Sequence, residues 1–144
     1  MRKELKELDI SFVKKTSFLA ETEMVQSLVF EEAESIALYY SYQNEVETSF
    51  LFQESQKKGK KIAYPKILKS KSCMEFFWVN SLSEFAPSEL GPLEPKVESR
   101  LCMAELSSID LMVIPALAFD LKGWRIGRGK GFYETSRRQV VSRS

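Results

Sequence analysis

Apolar and polar positions follow two different rhythms along this chain. Leu5, Leu8 and Phe12, then Met24, Val25, Leu28 and Val29, recur at helical spacing with lysines and glutamates between them. That spacing predicts two amphipathic helices within a helical N-terminal region over residues 1–34. Residues 35–42, Ser-Ile-Ala-Leu-Tyr-Tyr-Ser-Tyr, change to a run that suits a pleated, buried surface, and a strand is expected there. Asn44 and Glu47 have capping-box spacing, so a helix should follow and run to about Lys58, where Gly59 supplies a left-handed stop. Residues 61–64, closed by Pro65, and residues 74–79 read as further strands. Residues 80–99 are polar and proline-bearing and read as loops with at most short helical turns. Residues 109–114 are apolar enough for a central parallel strand covered on both faces.

Strand, helix, strand order is the mark of an α/β domain. The expected architecture is a single-domain three-layer sandwich over residues 1–144 with a mostly parallel central sheet. A length of 144 residues with 44% hydrophobic and 28% charged positions agrees with one compact domain. Composition then narrows the chemistry. The chain has no histidine, which excludes Ser/His and Cys/His nucleophilic pairs, imidazole acid–base roles and most zinc sites. Cys73 and Cys102 lack metal-type spacing and read as free structural thiols in a reducing compartment. Net charge is +1, from 21 basic and 20 acidic residues, so no global field favours nucleic acid or an acidic membrane. The charged start and the short apolar run at 111–119 fit neither a secretory signal nor a membrane span. A cytoplasmic location follows as the expectation, with no membrane or nucleic-acid partner.

One segment breaks the pattern. Residues 122–134 read Lys-Gly-Trp-Arg-Ile-Gly-Arg-Gly-Lys-Gly-Phe-Tyr-Glu, and four of the six glycines fall between Gly123 and Gly131. Glycine lets backbone N–H groups form concave anion cradles and permits close approach. Lys122, Arg125, Arg128 and Lys130 interleave with the glycines, and no acidic residue lies between Leu121 and Tyr133. If a helix begins near Phe132, its N-terminus adds to the attraction for a phosphate. The spacing is GxGxG, which is neither the P-loop nor the dinucleotide fingerprint. On spacing alone, a surface hairpin with solvated charges remains the competing reading.

These residues, with Ile114-Pro115-Ala116-Leu117-Ala118-Phe119-Asp120 before them, closely resemble the signature of the 5-formyltetrahydrofolate cyclo-ligase, or methenyltetrahydrofolate synthetase, family. Residues 36–41 with 44–48, then 59–65 and 91–96, are similar to three further family stretches in the same order. The resemblance covers roughly residues 35–134. It implies an ATP- and Mg²⁺-dependent closure of 5-formyltetrahydrofolate to 5,10-methenyltetrahydrofolate with release of ADP and phosphate. It assigns nucleotide binding to Arg125, Gly127, Arg128, Gly129, Lys130, Gly131 and Phe132, and a triphosphate contact to Lys3, or to Lys6. Arg128 and Lys130 would also offset charge on the transferred phosphoryl group, and Tyr133 would close over the formyl group. Glu45 would hold the folate, against a competing reading as a first-turn helix residue favoured by the dipole. Glu134, where the family usually has aspartate, and Asp120 would hold the metal. The family continues further past the loop, so a fold truncated at its C-terminus, with residues 109–114 at an open sheet edge, is the expectation. A monomer or weak homodimer, and as the alternative function a non-catalytic nucleotide- or folate-binding remnant, complete this reading.

Overall fold

The computed structural model describes residues 10–43, 45–68, 73–88, 91–96, 103–115, 118–119, 122 and 125–126. Two helices come first, α1 (Ile10–Val25) and α2 (Leu28–Glu32). Strand β1 (Ser35–Ala37) leads to α3 (Ser49–Lys57), and β2 (Lys61–Leu68) and β3 (Cys73–Trp78) form a hairpin. Short strands β4 (Phe85–Pro87), β5 (Leu93–Pro95), β6 (Met103–Ala104) and β7 (Leu111–Met112) follow, then β8 (Ala118–Phe119) and β9 (Arg125–Ile126). The central sheet has the order β6-β3-β2-β1-β7. β1 pairs in parallel with β2 and β7, whereas β3 and β6 join antiparallel. The α/β class is as expected, and the parallel part is the part that matters for the site.

Each face of the sheet has its own side-chain set because strand side chains alternate. Ile36, Leu38, Ile62, Tyr64 and Val79 pack with Phe30 of α2, Leu51 and Phe52 of α3, and Phe85 of β4. Ala37, Ala63, Met74, Phe76 and Ala104 form the other core with Trp78, Leu106, Ile109 and Met112. Among the described residues that second face is covered by the segment 106–109, with its 3₁₀ turn Leu106–Ser108, and not by an α-helix.

Several elements depart from the sequence expectation for physical reasons. The helical break comes at Ser27, whose Oγ donates to the Met24 carbonyl and accepts from the Phe30 N–H. The face of α1 that turns inward is Val13, Ser17 and Glu21, all buried, while Phe12 is 53% exposed and Leu28, just past the helix, is 71% exposed. Of the apolar positions chosen by spacing, Met24 and Val25 pack against the core, whereas Phe12, Leu28 and Val29 face outward, and Leu5 and Leu8 lie outside the described residues. β1 stops at Ala37 instead of reaching Tyr42, because Tyr39 leaves the ladder to bond within the following loop.

α3 begins after Thr48, not at Asn44, which lies outside the described residues. It ends as expected, with Gly59 in the left-handed region at φ +69°. β2 continues through Pro65 to Leu68. Its pairing with β1 ends at Ala63, so among the described residues the edge where Pro65 lacks a donor carries no strand. Two residues on, along the same edge, the Ile67 N–H donates to Glu94 Oε2 at 3.3 Å. The expected loop over 80–99 contains the hairpin β4–β5, in register Phe85↔Pro95, Ala86↔Glu94 and Pro87↔Leu93. The expected central strand at 109–114 is the two-residue β7, half-buried and at the end of the sheet among the described residues.

Candidate functional site

In an open α/β sheet, ligands bind beyond the carboxyl ends of parallel strands, where the strand order reverses. Here the reversal lies at β1. The chain leaves β1, passes through α3 and returns beside it as β2, and β7 enters on the opposite side. The pairing runs to the end of both strands, with the Val113 N–H donating to the Ala37 carbonyl at 2.9 Å. From β1 the chain enters the loop that carries Glu45; from β7 it enters the segment that leads to the glycine run. Two stretches whose strands end at Ala37 and Met112, far apart in sequence, thus leave the sheet side by side.

Side chains stitch the first of these loops together. The Tyr39 hydroxyl donates to the Val46 carbonyl at 2.6 Å, and Thr48 Oγ1 donates to the Tyr39 carbonyl at 2.6 Å. Glu45 sits in a tight turn: its N–H donates to the Tyr42 carbonyl at 3.2 Å, and its Oε1 accepts from the Tyr42 N–H at 2.9 Å. Gln43 takes a positive φ of 56° within that turn, a left-handed conformation uncommon outside glycine and asparagine. Because α3 starts four residues later, the first-turn alternative for Glu45 does not hold. Glu45 is half-buried on a braced turn, the setting a ligand-holding carboxylate requires.

The helix start beside it is held from another element. Thr48 is the N-cap residue but makes no side-chain cap bond, since its hydroxyl serves Tyr39. Glu21 Oε2 of α1 instead accepts from the Leu51 N–H at 2.8 Å, and Ser17 Oγ accepts from the Glu47 N–H at 2.9 Å. Burial pushes the Glu21 carboxyl above its ordinary range, with the Leu51 and Phe50 N–H groups pulling the other way and Glu47 adding to the rise. Burial, with the charges of Glu45 and Glu21, also drives the Tyr39 hydroxyl far up, so it stays a donor at any ordinary pH. Neither Ser17 nor Glu21 stands out in the sequence; a polar residue at 17 and an acidic one at 21 look like a solvated helix face.

Gly91 packs against the same turn. It adopts φ +104°, and a Cβ there would stand 2.6 Å from Tyr42 Oη and 2.9 Å from Cζ. The β4–β5 hairpin is in turn clamped to β2, with Lys66 Nζ 3.3 Å from Glu94 Oε1 and 3.2 Å from the Pro95 carbonyl. Tyr39, Phe76 and Phe77 are buried and Trp78 is half-buried with Lys61 Nζ over its ring, so these aromatic side chains serve as core.

Of the glycine segment, the entry is described. β8 and β9 pair antiparallel, Ala118↔Ile126 and Phe119↔Arg125, so the backbone of Arg125 is fixed in a hairpin immediately before Gly127. Asp120 follows β8 directly but lies outside the described residues, as do Lys3, Lys6, Gly127, Arg128, Gly129, Lys130, Gly131, Phe132, Tyr133, Glu134 and Cys102. Among the described residues no group of three or more His, Cys, Asp or Glu could hold a metal ion. Nor is any helix there long and apolar enough to cross a membrane.

With this geometry in place, the comparisons with known proteins are decisive. The model of the 5-formyltetrahydrofolate cyclo-ligase family matches residues 1–143. The chain belongs to that family. It is 29% identical over 129 residues to mouse 5-formyltetrahydrofolate cyclo-ligase, covering 87% of this chain and 64% of that one. Against the Escherichia coli K12 protein of the same name it is 32% identical over 104 residues, covering 71% of this chain and 56% of that one. The chain thus spans less than two thirds of the length of these cyclo-ligases. Among solved structures, the 5,10-methenyltetrahydrofolate synthetase of Aquifex aeolicus superposes with a TM-score of 0.79 at 26% identity, over 94% of this chain and 67% of that one. The Mycoplasma pneumoniae synthetase, at 21% identity and a TM-score of 0.70, covers 95% of this chain and 72% of that one and shares the fold.

Proposed function

We propose that this cyclo-ligase family member closes 5-formyltetrahydrofolate to 5,10-methenyltetrahydrofolate at the expense of ATP. The observation that carries the reading is the departure of the Glu45 turn and the glycine segment from adjacent parallel strand ends, β1 and β7. A formyl oxygen is a poor leaving group. Transfer of the γ-phosphoryl group to it, with ADP released, allows the neighbouring folate nitrogen to attack the formyl carbon and expel phosphate. Such transfer needs positioning and charge neutralisation more than a covalent protein group, so a chain without histidine is suited to it.

In this reading Glu45 orients the folate, and its braced turn fixes that carboxylate. Arg125, Gly127, Arg128, Gly129, Lys130, Gly131 and Phe132 cradle the nucleotide, with Lys3 reaching the triphosphate. Arg128 and Lys130 offset charge on the transferred group, and Tyr133 covers the formyl group. Asp120 and Glu134 supply oxygen donors of the kind Mg²⁺ takes, and the ion, when bound, would neutralise phosphate charge. The family likeness and the donor chemistry support these roles. A cytoplasmic protein acting alone or as a weak homodimer is part of the same proposal.

Incubation with 5-formyltetrahydrofolate and Mg·ATP should give the near-ultraviolet absorbance of the methenyl product together with ADP. Replacing Arg128 or Lys130 by alanine should suppress ATP use without unfolding the chain, and Glu45→Gln should impair folate use while nucleotide binding persists. Binding of either ligand without turnover would overturn catalysis in favour of a non-catalytic binding protein.

A further inference from the structure

We propose that Ser17 and Glu21 of α1 are positioning residues for the folate-holding turn, fixing Glu45 through the backbone of Glu47 and the start of α3. The inference rests on the folate role of Glu45 proposed above. Both side chains are almost wholly buried, at 1% and 3% exposure. Both spend their acceptors on backbone N–H groups 30 residues away, Glu47 and Leu51. A helix that only covered a core would place apolar groups at these positions, since burying a carboxylate costs free energy unless it is hydrogen-bonded. Through the middle of α1, between the inward Val13 and Met24, the arrangement is inverted, with Ser17 and Glu21 inside and Phe12, Phe18 and Leu19 outside.

The inversion makes sense at the loop. Val46 is held through its carbonyl by Tyr39, Glu47 through its N–H by Ser17, Thr48 through its hydroxyl by Tyr39, and Leu51 through its N–H by Glu21. The backbone leaving Glu45 is thus pinned at Val46 and Glu47, through the Thr48 side chain, and again at Leu51. A carboxylate that must meet a ligand gains from this, because sites loosened in their supporting shell lose binding far out of proportion to the displacement. Glu21 also lies within electrostatic reach of Glu47, and its carboxyl is engaged by the N-terminal N–H groups of α3. Replacing it should therefore loosen the start of α3 and, through Glu47, the turn that carries Glu45.

The test uses the full chain and its Ser17→Ala, Glu21→Ala and Glu21→Gln variants. It reads amide exchange at Glu47 and Leu51, and calorimetric affinities for 5-formyltetrahydrofolate and for Mg·ATP. Ser17→Ala should speed exchange at Glu47, and Glu21→Ala at Leu51. Each should weaken folate binding by about tenfold, with ATP binding within about twofold of the wild type. Glu21→Gln, which keeps a neutral acceptor, should recover most of the folate affinity. Unchanged folate affinity despite faster exchange would overturn the positioning role, as would equal weakening of both ligands. A wild-type chain that binds ATP but no folate would instead overturn the role of Glu45, and this inference with it. If Glu21→Ala does not fold, Ser17→Ala and Glu21→Gln decide the matter.

Discussion

Two carboxylates cap backbone N–H groups at opposite ends of β1, and their environments differ sharply. At the entry to the strand, Asp110 Oδ2 accepts from the N–H groups of Glu34 and Ser35 at 3.0 and 3.1 Å. The Asp110 N–H donates to Ser35 Oγ at 2.9 Å, and Ser35 Oγ donates to the Ser108 carbonyl at 2.8 Å. This solvated network staples β7 to β1, and its backbone N–H groups hold the Asp110 carboxyl below its ordinary range. At the exit, Glu21 performs a similar capping task while buried, and its carboxyl is pushed up. An exposed cap stabilises its own ionised form; a buried cap works against desolvation. The end that works against desolvation is the end where Glu45 sits, as expected if fold stability is relinquished there for a fixed site.

The largest expected effect separates stability from positioning. Phe30 is fully buried on the entry side, with Lys58 and Lys60 over its ring at 5.2 and 4.9 Å. Phe30→Ala should cost about 3–5 kcal/mol in denaturant unfolding, yet leave ligand affinities unchanged wherever the chain remains folded. A selective loss of folate affinity in that variant would break the distinction between the two ends. The next effect belongs to the exit side. Gly91→Ala brings a Cβ to within 2.6 Å of Tyr42 Oη at φ +104°, and overpacking of this kind costs about 1–3 kcal/mol. Because Tyr42 carries the turn bonded to Glu45, folate affinity should fall as well. Adding Tyr42→Ala should relieve the clash but not the backbone strain at φ +104°, so stability should recover only in part and binding not at all, which double-variant unfolding and calorimetry would check.

How much of this was legible in the sequence depended on the range of the interaction. The strands β2 and β3 and the left-handed stop at Gly59 rest on neighbours in sequence and are readable from a few adjacent residues, whereas the pairing of the two strands and the passage of β2 through Pro65 are not. The resemblance singled out Glu45, and the start of α3 at Ser49 sets its helical alternative aside. Ser17 and Glu21 were not legible. Their partners lie 30 residues away, and on a helix an inward polar face cannot be told from a solvated one by spacing alone. The β4–β5 hairpin was hidden by Pro87 and Pro95, which argue against strand in general but are tolerated in a short two-stranded ribbon. That β1 and β7 share an end is a property of topology, and it is what places Glu45 beside the exit toward the glycine segment.

Smaller effects concern pH and have opposite signs at the two ends. For Glu21 the folded-state carboxyl lies above its unfolded value of 4.5. Its contribution is therefore complete below that value and is lost as pH rises through the raised one. Glu21→Gln removes this titration. Its urea midpoint relative to wild type should rise with pH above 4.5, so that near neutral pH the variant is at least as stable as wild type while binding folate no better. A variant less stable than wild type at neutral pH, with the gap widening as pH rises, would contradict the burial of that charge.

The smallest expected effect is the counterpart at Asp110. Its folded-state carboxyl lies below the unfolded value of 3.8, so the stability it contributes is present above that value and is lost as pH falls through the depressed one. Asp110→Asn should lower the urea midpoint slightly at neutral pH, and the deficit should shrink as the medium is acidified below 3.8. Folate and ATP affinities should stay at wild-type values, because the network joins strand entries on the far side of the sheet from Glu45. The slopes of the two variants against pH thus run in opposite directions, a contrast that their shared capping bonds alone would not produce. Parallel slopes would mean that burial does not distinguish the two carboxylates, and the physical basis for treating the exit of β1 as the specialised end would be gone.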